Sequence, residues 1–292
     1  MSMLEVKRLT KRYGNELAVD QASFELEEGT ATALIGPNGA GKTTTLSMLA
    51  GLLKPTEGTI EWDIHSGIGF LPQHPQFFPW LTAIEFTEMA AKISGVDAKL
   101  AKKQSERTLE FVGLGKAMKK KTGAFSGGMK QRLGLAQAIV HQPKLLLLDE
   151  PVSALDPTGR REVMDLLKSL QGHTTILYST HILNDAEEMT DQVLFMQSGK
   201  LVEQGSLAEV KNRHANPQIR IRFDNSEQAS RFLQNSPWQA EAKGASIFLA
   251  GSGGPAMEEV LSVLAAAPAG VAAVERQSAT LEEIFLKVVG AR

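Results

Sequence analysis

The stretch Gly36-Pro37-Asn38-Gly39-Ala40-Gly41-Lys42-Thr43-Thr44 sets three glycines and a proline ahead of a lysine and two threonines. It satisfies the pattern G-x-x-x-x-G-K-[ST] through Gly36, Gly41, Lys42 and Thr43. Backbone without bulky side chains can curl its N–H groups around phosphate oxygens, and a helix starting beside it adds positive potential. In that chemistry Lys42 reaches the β- and γ-phosphates and Thr43 holds Mg²⁺; otherwise the stretch is a glycine-rich turn. A hundred residues on, Leu145-Leu146-Leu147-Leu148-Asp149-Glu150 places two carboxylates after an apolar run. Asp149 is suited to orient Mg²⁺, directly or through water, and Glu150 to polarise an attacking water as general base. Between them, Phe125-Ser126-Gly127-Gly128-Met129-Lys130-Gln131-Arg132 again offers a hydroxyl and bare glycine amides ahead of a helix, a second place for a phosphate.

These groups need elements to hold them. Residues 31 to 35 read as a short buried strand entering the first loop, and 44 to 53 as the helix leaving it. Residues 4 to 9 and 21 to 26 read as strands, with Glu27-Glu28-Gly29 as a turn. A helix-rich region runs from about 82 to 141, including helices over 84 to 94 and 97 to 112. The four leucines 145 to 148 suit a strand covered on both faces, as in a parallel sheet. Residues 174 to 178 and 192 to 196 supply two more, separated by a helix after Thr180. Strands alternating with helices predict a doubly wound α/β core whose ligands sit at the carboxyl ends of the strands.

Around residues 212 to 217 the character changes. Ile219 and Ile221 alternate with arginines; helix 226 to 235, strands 239 to 243 and 246 to 250, helix 256 to 266 and strand 271 to 276 follow. That order, βαββαβ, is a split βαβ or ferredoxin-like module, and a helix over 280 to 289 closes it. The expected organisation is residues 1–212 as one domain and 213–292 as a smaller one.

Composition limits the function classes. The 292 residues carry 42% hydrophobic and 22% charged side chains, which suits ordinary globular domains. A net charge of −2, and eight basic against eight acidic residues beyond 212, give no general pull toward nucleic acid or anionic lipid. With no cysteine, disulfide frameworks and thiolate metal sites are excluded. The first residues lack the apolar core of a signal peptide, and the longest nearly uncharged apolar stretch, 260 to 274, is shorter than a bilayer span and holds Pro268. A soluble chain is expected, with any membrane role arising through a partner. The lysines at 119 to 121 read as a solvated loop.

Taken in order, the motifs resemble the ATP-binding subunits of ABC transporters over roughly residues 4 to 212. The Ser126-Gly127-Gly128 segment resembles that family's signature, usually LSGGQ, here with Phe125 and Met129 at its flanks. The resemblance implies a P-loop ATPase cassette with a helical signature subdomain, ATP and Mg²⁺ as ligands, and two subunits sandwiching two ATP molecules. The phosphate loop, residues Gly36, Pro37, Asn38, Gly39, Ala40, Gly41, Lys42, Thr43 and Thr44, then faces Ser126, Gly127 and Gly128 of a second ATPase chain. Tyr13 matches the aromatic stacked on adenine, and Gln73 the glutamine that touches Mg²⁺ and water and moves with the membrane subunit. Asp156, in Ser153-Ala154-Leu155-Asp156, matches the segment crossing the dimer interface, where Ala154 replaces the usual glycine. His181 matches the histidine on the γ-phosphate. The implied site is Glu150, His181, Gln73 and Lys42 for catalysis, with Thr43, Gln73 and Asp149 around Mg²⁺. Only fourteen residues separate Gly58 from Gln73, fewer than usual, which leaves base recognition less defined than phosphate recognition.

Within the family, the signature wording and the tail Thr280-Leu281-Glu282-Glu283-Ile284-Phe285-Leu286 resemble the ABC-2 exporter branch. That implies an ATPase motor, homodimeric or heterodimeric, bound to integral membrane permease subunits on the cytoplasmic face, with no nucleic-acid partner. A soluble ABC ATPase acting on ribosomes or nucleic acid is the alternative, although such proteins usually carry two cassettes or a long coiled coil. A third reading keeps ATP as a regulatory ligand with little turnover, against which stand Glu150 and His181.

Overall fold

The computed structural model describes residues 2–62, 67–153, 155–214, 218–249, 254–266, 270–277 and 279–290. They fall into two compact units, Met1–Leu207 and Ala208–Arg292.

The first unit is organised by a six-stranded sheet. Its strands are β3 (Ala31–Ile35), β5 (Ile68–Leu71), β6 (Leu145–Asp149), β7 (Thr175–Thr180), β8 (Gln192–Gln197) and β9 (Lys200–Ser206), in the order β5-β6-β7-β3-β8-β9. Every residue of β3, β6 and β7 is buried, which explains the run of four leucines in β6. All neighbours pair in parallel except the β8–β9 hairpin. In register, Ile35 lies opposite Thr180, and Asp149 opposite Ser179. Parallel pairing at matched ends therefore brings three loops to one edge of the sheet: the one after β3, the acidic turn after β6 and the segment after β7.

A second, antiparallel sheet has the order β2-β1-β4, from β1 (Ser2–Tyr13), β2 (Glu16–Glu27) and β4 (Glu57–Trp62). Its buried Leu4, Val6, Phe24 and Leu26 join one core with Leu145, Leu147 and Leu177. Strands β1 and β2 are longer than the stretches 4 to 9 and 21 to 26 expected for them. Arg8 and Gln21 sit at φ 47° and 50°, beside shifts in the pairing register. Such bulges break the two-residue alternation by which a strand is recognised.

Helix α1 (Lys42–Leu49) begins directly after the glycine loop, two residues before the expected start at 44. Helices α2 (Ala83–Ile93), α3 (Ala98–Phe111) and α4 (Gly127–Ile139) form the helical region, packed on one another and on β5 through α4. Each begins at a side-chain cap: Thr82 in a capping box with Glu85, Asp97 accepting from the Lys99 N–H, and Ser126 accepting from the Met129 N–H. The exposed lysines 119 to 121 join α3 to α4. Helix α5 (Pro157–Leu170) links β6 to β7, and α6 (Leu183–Met189) links β7 to β8.

The chain passes through α7 (Leu207–Arg213) into the second unit, which contains β10 (Gln218–Phe223), α8 (Ser226–Asn235), β11 (Ala240–Lys243), β12 (Ser246–Leu249), α9 (Met257–Ala266), β13 (Val271–Gln277) and α10 (Leu281–Gly290). Its strands lie in the order β11-β12-β10-β13, every neighbour antiparallel. With the first strand between the third and fourth, this is the ferredoxin-like arrangement expected from the βαββαβ order. Ile219, Ile221 and Phe223 alternate inward from β10 and pack with Ile247, Leu249, Val260 and Leu264. Among the described residues, no helix is long and apolar enough to cross a membrane.

Candidate active site

The loop between β3 and α1 is held by close backbone contact. A Cβ on Gly36 would lie 2.3 Å from the Met196 carbonyl oxygen, and one on Gly41, at φ +103°, would lie 2.4 Å from that of Ala18. Only glycine fits either place. Gly41 caps α1 without a side-chain bond, so no side chain of the cap covers the first N–H groups of the helix. Pro37, Asn38, Gly39 and Thr43 are exposed, Ala40 is buried and Thr44 is half-buried. Thr45 turns inward, donating to the Gly41 carbonyl at 3.0 Å.

Lys42 is buried at 6% exposure and donates through Nζ to the carbonyls of Gly36 at 2.7 Å and Pro37 at 3.1 Å. Its ammonium folds back over its own loop. Burial pushes its pKa down, while the carboxylates of Glu150 and Asp149 pull it back up. Those carboxylates therefore share an electrostatic neighbourhood with the loop.

At the end of β6, Asp149 and Glu150 are 1% and 6% exposed. Ser179 connects them: its hydroxyl donates to Asp149 Oδ1 at 2.6 Å and accepts from the Glu150 N–H at 2.9 Å. Glu150 adopts φ 52°, the left-handed region that costs a side-chain-bearing residue about 1–3 kcal/mol. The turn is fastened by Ser153, whose N–H and Oγ both donate to the Glu150 carbonyl, at 3.3 and 3.1 Å. From the end of β7, His181 brings Nδ1 to 2.9 Å from Glu150 Oε1 and 2.8 Å from Oε2. With Nδ1 donating to the carboxylate, Nε2 is left for a ligand.

Replacing Ser179 with alanine would leave Asp149 short of a donor and the Glu150 N–H short of an acceptor. The expected loss is about 1–3 kcal/mol in chemical denaturation, with a fall in kcat exceeding any rise in KM for ATP. An unchanged kcat would show that Ser179 does not position the carboxylates.

The remaining predicted residues lie further apart. Gln73 is exposed two residues beyond β5, itself paired in parallel with β6. Tyr13 ends β1 at 48% exposure, with Lys11 Nζ 5.2 Å from its ring centre. Ser126 and Gly127 are exposed at the start of α4, and no atom lies within 4 Å of a Cβ built on Gly127. A Cβ on Gly128 would lie 3.3 Å from the Leu155 side chain. The principal neighbours of α4 are β5, α2 and α3, so this second cradle is set on the helical region rather than on α1. Phe125 is buried at 6% exposure, and Met129 supplies the backbone N–H that Ser126 accepts; both flanking changes leave Ser126-Gly127-Gly128 presented outward. Asp156 is exposed and caps α5 by accepting from Gly159 N–H at 2.9 Å. Ala154 lies outside the described residues.

Two residues escaped the sequence reading. Ser179 lies two residues before His181, and its role needs the Asp149–Ser179 register. Gln131, buried in α4, donates through Nε2 to the Pro151 carbonyl at 2.9 Å and so ties the signature helix to the turn after Glu150. A glutamine one turn into a helix carries no such signal by itself.

A glycine loop over a helix start, a buried acidic pair and a histidine on adjacent parallel strand ends define the P-loop class of nucleotide hydrolases. Residues 19–153 match the family model for the ABC transporter, and residues 205–289 match the C-terminal domain of ATP-binding proteins similar to DrrA1-3. The chain is 43% identical to the uncharacterised ABC transporter ATP-binding protein YxlF of Bacillus subtilis (strain 168), over 99% of this chain and 100% of that protein. It is 41% identical to the bacitracin transport ATP-binding protein BcrA of Bacillus licheniformis, over 73% and 72%. Among solved structures, an ATP-binding subunit of an ABC transporter superposes with TM-score 0.66 and 28% identity, over 72% of this chain and 92% of that one. The ATP-binding cassette MJ0796, solved as a dimeric post-hydrolysis state bound to ADP and Pi, superposes with TM-score 0.64 and 27% identity, over 70% and 99%. The chain belongs to the ATP-binding subunits of ABC transporters, a family of ATPases.

Proposed function

We propose that the chain is the ATP-hydrolysing motor of an exporter, acting as one of two ATPase chains bound to membrane permease subunits at the cytoplasmic face. The observation that carries this reading is the placement of Asp149, Glu150 and His181 at adjacent strand ends beside Lys42 of the glycine loop, with the second phosphate cradle mounted elsewhere. Charge on a transferring phosphoryl group must be met from several directions. A pocket that joins one chain's loop to another chain's Ser126-Gly127-Gly128 meets that need, and the dimeric cassette among the similar structures supports it.

In this reading the backbone N–H groups of residues 38 to 44 and the Lys42 ammonium hold the β- and γ-phosphates. Glu150 accepts a proton from the attacking water, His181 turns its Nε2 edge toward the γ-phosphate, and Asp156 crosses to the second chain. Tyr13 stacks on the base. The donors for Mg²⁺ are the Thr43 hydroxyl, the Gln73 amide oxygen and the Asp149 carboxylate, an all-oxygen set that suits a hard cation. Among the described residues no three His, Cys, Asp or Glu side chains form a metal cage. At nucleotide sites Mg²⁺ is generally held by one or two carboxylates together with phosphate oxygens. When bound, the ion would neutralise negative charge developing on the phosphates.

The permease contact is supported by an exposed aromatic surface after Gln73. Phe78 and Trp80 are 44% and 64% exposed with ring centres 5.4 Å apart, backed by Phe77 edge-on to Phe86 at 5.1 Å. A partner that moves with Gln73 would cover these rings. Export is supported by BcrA, named for bacitracin transport, and by the linearmycin resistance ATP-binding protein LnrL of Bacillus subtilis (strain 168), 34% identical over 72% of this chain. Residues 213–292 are an accessory or regulatory module, supported by the match to a C-terminal domain of other ATP-binding proteins.

The test is purification of the tagged chain from gently solubilised native cells, with mass spectrometry of what accompanies it. An integral membrane protein in stoichiometric amount is the expected result. Ribosomal or DNA-bound partners without a membrane protein would transfer the same ATPase chemistry to a soluble machine.

A further inference from the structure

Away from the strand ends that carry the proposed ATPase residues, α3, the end of α4, the approach to β6 and the end of α5 line an open-mouthed cavity of about 680 Å³. Its size falls within the range of pockets that hold small organic ligands, about 300–1,000 Å³. The apolar part of its lining comes from Leu100 and Phe111 on α3, Ile139 on α4 and Leu170 on α5. Ile139 is buried, whereas Leu100 and Phe111 are 58% and 39% exposed at its rim. Large apolar side chains left open to solvent around a concavity mark a binding surface rather than core.

The polar part is one-sided. Lys103 and Arg107, one turn apart on α3, and Lys144, just before β6, all line the cavity, and His173 adds an imidazole. No aspartate or glutamate lines it among the described residues. No hydrogen bond or ion pair from the charged ends of Lys103, Arg107 or Lys144 is found among the described residues. In a chain of net charge −2, three unpaired cations over one apolar pocket are a local excess with no structural partner.

We propose that this cavity is a second binding site, separate from the nucleotide pocket, for a small anionic amphiphile: an apolar body in the cavity with a carboxylate or phosphate among Lys103, Arg107 and Lys144. The apolar body displaces water from Ile139 and Leu170 and is covered by Leu100 and Phe111. Arg107 supplies a planar fork matched to two anion oxygens, and the lysines supply point charges. Because α4 runs from Ser126 to the cavity wall at Ile139, an occupant touches the far end of the signature helix.

Calorimetric titration of the full chain with decyl phosphate and with decanoate, below their aggregation concentrations, tests this. Decanol serves as the uncharged control. Both anions are expected to bind at micromolar to submillimolar concentration and decanol at least about tenfold more weakly, with each of Lys103→Gln, Arg107→Gln and Lys144→Gln weakening the anions about threefold to tenfold. The tighter of the two anions identifies a phosphate or a carboxylate source. Methyl resonances of Leu100, Ile139 and Leu170 should shift on titration while Leu52, an exposed leucine outside the cavity, stays fixed. These three surface substitutions leave the core intact, so failure to fold does not confuse the result. Equal affinity for decanol, unchanged affinity in all three variants, or no binding at millimolar decyl phosphate and decanoate would each overturn the proposal.

Discussion

Glu150→Gln is expected to slow ATP hydrolysis by about 10²- to 10⁴-fold, the range for removing a general base, while leaving ATP binding intact. The amide keeps the shape of the side chain, and the Ser179 and Ser153 bonds to the residue-150 backbone do not depend on the carboxylate. His181 would still find an oxygen in place of Oε1 or Oε2, so the pocket keeps its form and loses only its proton acceptor. With ATP unspent, the proposed pair should stay closed. Light scattering on the purified variant should show twice the 31.6 kDa chain mass with saturating Mg-ATP and the single mass without it. A variant that hydrolyses at the parental rate would remove Glu150 from the chemistry; one that stays monomeric with ATP would remove the two-chain mechanism for the isolated protein.

Lys42→Ala should have an effect of similar size through binding. The Gly36 and Pro37 carbonyls that now accept from Nζ show that the ammonium reaches across the loop. Losing two charge-assisted bonds to phosphate corresponds to an affinity drop of about 10²- to 10³-fold, with Mg-dependent phosphate release falling to background. Titration of a fluorescent ATP analogue measures the first and a phosphate assay the second; unchanged phosphate release would dismiss the proposed site. The fold itself should tolerate the change. Because burial lowers the pKa of Lys42 relative to the unfolded chain, the folded protein binds fewer protons between the two values. Stability from this group therefore rises with pH through that window, and at neutral pH its charge opposes folding. Alanine removes that opposition, so Lys42→Ala should not lower Tm at pH 7 while it abolishes turnover.

Much of this arrangement could be read from residue order, for reasons that differ by element. Strand β3 matches residues 31 to 35, and α8 matches 226 to 235, because an all-buried run and a capped amphipathic helix each announce their own limits. The phosphate loop was legible since its glycines answer to local backbone demands, and α1 starts early because Gly41 caps it directly. Strands β1 and β2 were half-seen where left-handed Arg8 and Gln21 disrupt their alternation. Helix α5 escaped as an element because its polar face predominates, leaving Val163, Met164 and Leu167 to carry its burial. The hairpin strand β9, mostly half-buried and interrupted by Gly205 at φ 146°, lacks an apolar run altogether. Within the proposed site, Lys42, Asp149 and Glu150 are candidates by spacing alone. The Ser179 bridge and the His181–Glu150 contact follow only from strand pairing across about thirty residues, which no local pattern encodes.

The bond from Gln131 to the Pro151 carbonyl has a consequence for kinetics. If Ser126 closes over nucleotide held by the other chain while Glu150 serves the chain's own nucleotide, this single buried strut spans both pockets of the pair. A shift of the signature helix on one side then tugs the catalytic turn on the other, much as a rocker arm joins two valves. Turnover would then be a property of the couple, with firing at one site altering the readiness of its twin.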